Sequence, residues 1–165
     1  MTDLSLTLSP LTPADMPAIE KLDERAFGPG RFALSAYRLR EGVNPDPDLS
    51  FVAHVGTLLV GANRMTAIAC GGAPALLLGP LTVDPPFRSR GIGEALMAKS
   101  MEAARAGGHK LVILVGDEPY SKRVGFTRAP QGRLTMPGPV DFARLLYCEL
   151  VEGAFEGVTG AITRA

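Results

Sequence analysis

Leu81-Thr82-Val83-Asp84-Pro85-Pro86-Phe87-Arg88-Ser89-Arg90-Gly91-Ile92-Gly93-Glu94-Ala95-Leu96 is the stretch whose reading decides the fold. An apolar run beginning at Leu76 leads into it and reads as a buried strand. Glu94 to Ala106 reads as a helix, ended by Gly107-Gly108. Between the two lies a tight, basic, glycine-bearing turn. The first turn of a helix has unpaired N–H donors and a partial positive charge. Glycine lets an anion approach without a Cβ in the way, and two arginines add donors and charge. The stretch therefore reads as a cradle for a diphosphate.

The bulk properties narrow what that diphosphate belongs to. A chain of 165 residues fits a single domain, spanning 1–165, with a sizeable core. Seventeen basic side chains balance seventeen acidic ones, which argues against a nucleic-acid partner tracked by its phosphates. The basic residues cluster locally instead, at Arg88/Arg90 and Lys122/Arg123, which suits a small polyanion. The first residues carry Asp3, no basic segment and no apolar core of a leader, and no run approaches the length of a membrane span, so no membrane partner and a cytoplasmic location are expected. Cys70 and Cys148 sit in apolar, strand-like segments and read as buried, reduced thiols. Neither is placed by sequence beside His54 or His109 for activation, and no ligand pair has metal-binding spacing, so no metal is expected.

Outward from the cradle, Leu4 to Leu8 alternates as a first strand closed by Pro10. Thr12 or Asp15 caps a helix running to about Phe27, where Gly28-Pro29-Gly30 breaks it. A second helix is predicted from about Phe32 to Glu41, then a loop through Asn44-Pro45-Asp46-Pro47-Asp48. Leu49–His54 and Thr57–Ile68 form a hairpin turning near Gly56, followed by the strand from Pro74 to Val83. Pro85-Pro86 predicts an extended exit from that strand. Lys110 to Val115 is a wholly apolar strand, and two such strands flanking a helix predict a right-handed crossover with parallel pairing. Glu118 to Val124 fits a short helix. A last hairpin is expected from Arg133–Met136 and about Ala143–Val151, with Gly153–Ala165 trailing over the surface.

Spacing sets aside two better-known glycine motifs. A dinucleotide fingerprint needs glycine or alanine where Leu96 stands, and a Walker loop needs Gly-Lys-Ser/Thr, which is missing from this region. With its flanks, Leu81–Leu96 resembles motif A of the GNAT superfamily of acyl-CoA-dependent N-acyltransferases. Gly116-Asp117-Glu118-Pro119-Tyr120-Ser121-Lys122-Arg123-Val124-Gly125-Phe126 resembles motif B, most closely in its YhbS-like subgroup, and Glu149–Gly160 resembles that subgroup's ending. The resemblance implies an α/β (α+β by some schemes) GNAT fold, a mixed sheet of about seven strands with about four helices, splayed between the fourth and fifth strands.

It further implies acetyl-CoA (coenzyme A) as co-substrate and transfer of the acyl group to a primary amine, on a small molecule or a protein, by direct attack. Arg88, Ser89, Arg90, Gly91, Ile92 and Gly93 would bind the pyrophosphate, largely through main-chain N–H groups. Leu81, Thr82 and Val83 would pair with the pantetheine arm as an added strand, with main chain near Leu81 polarising the thioester oxygen. Relatives carry a tyrosine four residues before the glycine of Gly125-Phe126, where this chain has Ser121, with Tyr120 beside it. A serine hydroxyl donates a hydrogen bond but is a far weaker acid than a phenol of pKa about 10. Adjacent residues on a short helix diverge, which favours Ser121 at the sulfur and Tyr120 elsewhere. Glu24, Glu41 and Asp117 are the candidate general bases, and a water chain is an alternative. Arg123 reads either as a phosphate contact or as a surface charge. Ser121 also keeps open a non-catalytic acyl-CoA-binding or regulatory domain. The acceptor is expected to enter over residues 25–45 and 128–142, and a homodimer stays open.

Overall fold

A computed structural model describes residues 5–28 and 35–165. The strands are β1 (Leu6–Pro10), β2 (Phe51–Val55), β3 (Leu58–Cys70), β4 (Ala73–Val83), β5 (Leu111–Val115), β6 (Thr127–Arg128), β7 (Leu134–Thr135), β8 (Leu145–Glu149) and β9 (Gly160–Arg164). The helices are α1 (Met16–Phe27), α2 (Ser35–Arg40), α3 (Ile92–Ala106) and α4 (Glu118–Ser121). One mixed sheet runs β1-β2-β3-β4-β5-β8-β6, with β9 set against β3 and β7. The mixed α/β architecture, with four helices among the described residues, matches expectation. Among the described residues the sheet has nine strands rather than about seven; the two additions are β6, a two-residue pairing, and β9, in a glycine-rich segment.

The apolar strands are apolar because both faces of the sheet are covered. Leu76 and Leu78 of β4, with Val112 and Leu114 of β5, pack against Met97 and Met101 of α3. Leu77, Leu111 and Ile113 point the other way, into a core with Leu39 of α2, Phe155 and Ile162. A strand buried on both sides shows no polar alternation. Toward β1, Ile92 and Leu96 of α3 pack on Phe51, Ala53 and Val60, while Ile19 of α1 packs on Val52 and Ala62. Leu96 is fully buried and comes within 3.0 Å of where a Cβ on Gly61 would sit, so that glycine lets α3 close onto β3. Asn63 donates to Ser100 Oγ at 2.9 Å, and Ser100 donates to Leu49 O at 2.7 Å, tying α3 to the sheet through a buried polar chain.

β4 and β5 are parallel, as the crossover predicts, but they pair only over Leu76–Leu78 and Val112–Leu114. On the other edge of β4, Leu81 faces Asn63 and Leu78 faces Met65, so Gly79 and Pro80 together oppose Arg64. Pro80 has no N–H for a ladder and Gly79 takes φ +118°, the composition of a bulge. A bulge bends its strand, and here it turns β4 away from β5. The expected splay is thus present.

Three expectations are corrected. Gly153–Ala165 does not trail: Gly160–Arg164 pairs antiparallel with β3 and parallel with β7, and Phe155 and Ile162 are buried. Consequently β7 does not form a hairpin with β8, which pairs with β5 and β6 instead. Pro85-Pro86 opens a 3-10 turn through Phe87 rather than an extended exit, since the fixed proline φ also suits the start of a helical turn. Thr12 and Asp15 act together, in a capping box around a short 3-10 turn leading into α1. Residues 32–34 of the second expected helix lie outside the described residues. Cys70 and Cys148 are buried free thiols, and burial pushes Cys70 up to about 11.

Arg133 holds the last segment down. Its Nε donates to Val158 O at 2.9 Å, its Nη2 to Phe155 O at 2.5 Å, and its guanidinium lies 4.1 Å from the Phe155 ring centroid. Removing it leaves two carbonyls short of charge-assisted donors. Arg133→Ala is expected to lower stability by about 2–3 kcal/mol in urea unfolding; an unchanged midpoint would show that β9 is held without it.

Candidate active site

The splay opens a cleft of about 710 Å³. Leu78, Leu81, Met97 and Leu114 line its α3 side, and Tyr120 and Ser121 of α4 stand on the β5 lip. Beyond Leu78 the edge of β4 that faced β5 has no strand partner among the described residues, so the main chain of Leu81–Val83 is exposed along one side as a sheet edge. Leu81 and Val83 direct side chains to α3, each with a methyl 3.5 Å from where a Cβ on Gly93 would lie. Thr82 points to the opposite face, where its hydroxyl donates to Asp23 Oδ1 at 2.7 Å.

The arginine turn leads from β4 into α3 through residues of positive φ. Ser89 has φ +63° and Gly91, the residue before α3, has φ +79°. The first bond into the helix runs from Ala95 N to Gly91 O at 3.0 Å. The amides of Gly91, Ile92, Gly93 and Glu94 therefore donate to no backbone carbonyl among the described residues. Successive free amides in such a turn make a concave anion site, strengthened by the positive end of the helix. Arg88 and Arg90 are exposed and pair with no carboxylate among the described residues. Arg88 Nε donates to Val83 O at 3.3 Å, and Arg90 lies 5.6 Å from the Phe87 ring centroid.

Tyr120 and Ser121 diverge as neighbours on a short helix do. Ser121 is 3% exposed, with Oγ 3.9 Å from the Cβ position of Gly116. The Tyr120 hydroxyl lies directly over Gly93, where any Cβ would overlap it, between the cleft and the free amides. Burial, and then the charge of Glu94, raises its phenol above the ordinary value, so it stays protonated near neutrality. Arg123 is an exposed side chain 3.8 Å from Glu94 and so stands beside the start of α3.

Of the candidate bases, Glu41 and Asp117 line the cleft from exposed positions. Glu24 does not line it; it is exposed, while its neighbour Asp23 continues the buried stripe of Ile19 and Leu22. Asp23 accepts a short bond from Arg64 Nη2 besides the Thr82 bond. Arg64 and Arg40 also line this end of the cleft. None of these three was singled out from sequence. The available signals were an acid on the apolar stripe of a helix and an arginine inside a largely apolar strand. His54 is a half-buried strand residue and His109 a loop residue, and among the described residues no cluster of ligating side chains could hold a metal.

The contact between Tyr120 and Gly93 is testable by unfolding. Gly93→Ala is expected to cost more in the wild-type background than in Tyr120→Phe, with a coupling of about 0.5–3 kcal/mol in a double-mutant cycle. Equal costs in both backgrounds would show that the hydroxyl does not rest there.

Comparison with known proteins agrees with this geometry. The Acetyltransferase (GNAT) family profile matches residues 16–129. A protein named uncharacterized N-acetyltransferase YhbS, from Escherichia coli K12, is 26% identical over 152 residues, covering 91% of this chain and 90% of its own. A second from the same strain, named uncharacterized N-acetyltransferase YjhQ, is 30% identical over 117 residues, covering 68% and 65%. The crystal structure of E. coli YhbS in complex with CoA has a TM-score of 0.83 at 24% identity, covering 100% of this chain and 92% of that one. A GNAT family acetyltransferase from Brucella melitensis in complex with acetyl-CoA gives 0.62 at 24% identity, covering 93% and 99%. With an open parallel seam, free amides at the start of α3 and a family match over most of its length, this chain belongs to the GNAT acetyltransferase family.

Proposed function

We propose that the protein is an acyl-CoA-dependent N-acyltransferase that moves an acetyl group from acetyl-CoA to a primary amine by direct attack. The observation that carries this reading is the run of unpartnered amides from Gly91 to Glu94, set beside an open strand edge. The relatives solved with CoA and acetyl-CoA support the choice of co-substrate.

In this reading, Arg88 to Gly93 take the pyrophosphate through main-chain donors, with Arg88 and Arg90 adding charge. The pantetheine amides pair with the free edge of Leu81–Val83, as a peptide strand would. The acyl carbonyl then lies at the bulge, where the main-chain N–H of Leu81 donates a hydrogen bond to the oxygen as charge grows on it. The amine nitrogen attacks the carbonyl carbon, the carbon–sulfur bond breaks, and the thiolate leaves with a hydrogen bond from Ser121. Tyr120, over Gly93, contacts the pantetheine rather than the sulfur. The proton lost by the amine passes to water at the mouth, where Glu41 and Asp117 are the nearest carboxylates in the lining.

Thiol release from acetyl-CoA over a panel of primary amines, with calorimetric titration of acetyl-CoA, tests the reading. Binding together with turnover is expected. Binding without turnover on any amine would favour a non-catalytic acyl-CoA-binding domain, the reading to which Ser121 at the acid position lends weight. Gly93→Ala puts a methyl against the Tyr120 hydroxyl and the Leu81 and Val83 side chains, displacing the wall next to the free amides, and is expected to weaken acetyl-CoA binding more than about tenfold. Ser121→Ala is expected to lower kcat by about tenfold or less, and Tyr120→Phe to leave it within about threefold. A loss above about 100-fold in Tyr120→Phe would instead make the phenol the acid.

A further inference from the structure

At the end of the cleft away from α3, three charged side chains from separate elements meet in a buried floor. Asp23 of α1 pairs with Arg64 of β3 and accepts from Thr82 of β4, so both its oxygens are engaged. Arg40, the last residue of α2, lines the same space. Its Nε donates to Ala36 O at 3.2 Å, and its Nη1 lies 3.8 Å from the Cβ position of Gly79, at the bulge that opens the sheet. Arg40 Nη1 and Arg64 Nε are both buried and have no hydrogen-bond partner among the described residues.

Two guanidiniums stand near one carboxylate that pairs with Arg64 alone, and one N–H donor of each guanidinium is buried with no acceptor among the described residues. Buried polar groups without partners are rare, and an uncompensated buried charge is among the costlier features a fold can carry. Burial first, and then the charge of Arg64, pull Arg40 down to about 10, which leaves it cationic at neutral pH. The other acids of the lining, Glu20, Glu41, Asp117 and Asp141, are exposed at the rim and do not neutralise the floor. An acidic rim over a cationic floor is complementary to a molecule that is itself both cation and anion. A planar carboxylate with two oxygens is the group that guanidinium donors match best.

We propose that Arg40 and Arg64 form a carboxylate-binding floor, so that the acceptor is an amino acid-like amine bearing its own carboxylate. This deepens the acyl-transfer reading and rests on it. Because Arg40 reaches the bulge at Gly79, beside the proposed thioester position, carboxylate and amine are separated by only a few bonds. That geometry favours free amino acids over polyamines or lysine side chains of proteins.

The test uses thiol release from acetyl-CoA with amino acids paired against their decarboxylated amines, plus phosphoethanolamine against ethanolamine. A preference of about 100-fold or more in kcat/KM for a carboxylated member is expected. Arg40→Met, matched in length but uncharged, should collapse that ratio to below about threefold. The same variant should melt at a higher temperature than wild type without ligand, since it removes an unpaired buried cation. A ratio unmoved in Arg40→Met, equal use of the decarboxylated amines, or a preference for phosphoethanolamine over every amino acid overturns the proposal. Calorimetric titration of the amino acids into CoA-saturated protein separates the two levels of inference. Binding to wild type that is lost in Arg40→Met, without turnover, upholds the floor while the transfer reading fails. Neither binding nor turnover overturns the floor.

Discussion

The interruption of pairing between β4 and β5 is the constraint on which the rest of the molecule depends. Gly79 and Pro80 occupy the space of one residue opposite Arg64, and the ladder to β5 ends at Leu78. A sheet buried on both faces ordinarily satisfies all its main-chain groups, and an edge in its interior is costly unless something pairs with it. Here the unpaired edge of Leu81–Val83 lies next to the unpaired amides that begin α3. Two sets of main-chain donors, produced by unrelated local causes, thereby face one continuous opening. No side chain with special chemistry is needed to make that opening fit a long, amide-bearing, diphosphate-ended ligand.

The opposite end of the cleft is built on another principle. There, side chains set the character of the wall: one acid paired with Arg64, and Arg40 beside them, at the junction of α1, α2 and β3. Arg64 is bound to the bulge by register, because it is the residue that Gly79 and Pro80 jointly oppose. The irregularity that separates the strands also aims a guanidinium at the space created. Backbone-dominated recognition at one end and charge-dominated recognition at the other fit a constant donor and a variable acceptor.

Much of the first end was legible in the sequence and little of the second. The cradle is local: Arg88 to Gly93 are consecutive, and a strand, glycines and a helix start follow from adjacent residues. The parallel crossover was legible because strands apolar on both faces leave few alternatives. Asp23, Arg40 and Arg64 are far apart in the chain and ordinary one by one, and only the register of β3 and the pitch of α1 bring them together. Glu24, one of the three candidate bases, differs from the cleft-lining Asp23 by one residue, a rotation of about 100° on a helix, which puts its side chain in solvent. The last strand was misread because its support is tertiary: Arg133 and the Phe155 ring hold a segment whose glycines alone suggest a loose coil.

The short seam between the halves of the sheet also has a mechanical side. β1 to β4 form one blade and β5, β8 and β6 another, hydrogen-bonded to each other through only three residues of each strand. By hydrogen bonds alone, such a junction is the least braced line between neighbouring long strands of the sheet. Widening the mouth amounts to a rotation about Leu76–Leu78, with α3 and the chain crossing from β7 through β9 to β3 acting as tethers that limit the angle. Entry of a bulky ligand is then a small pivot between rigid plates, and it leaves the packing within each plate undisturbed.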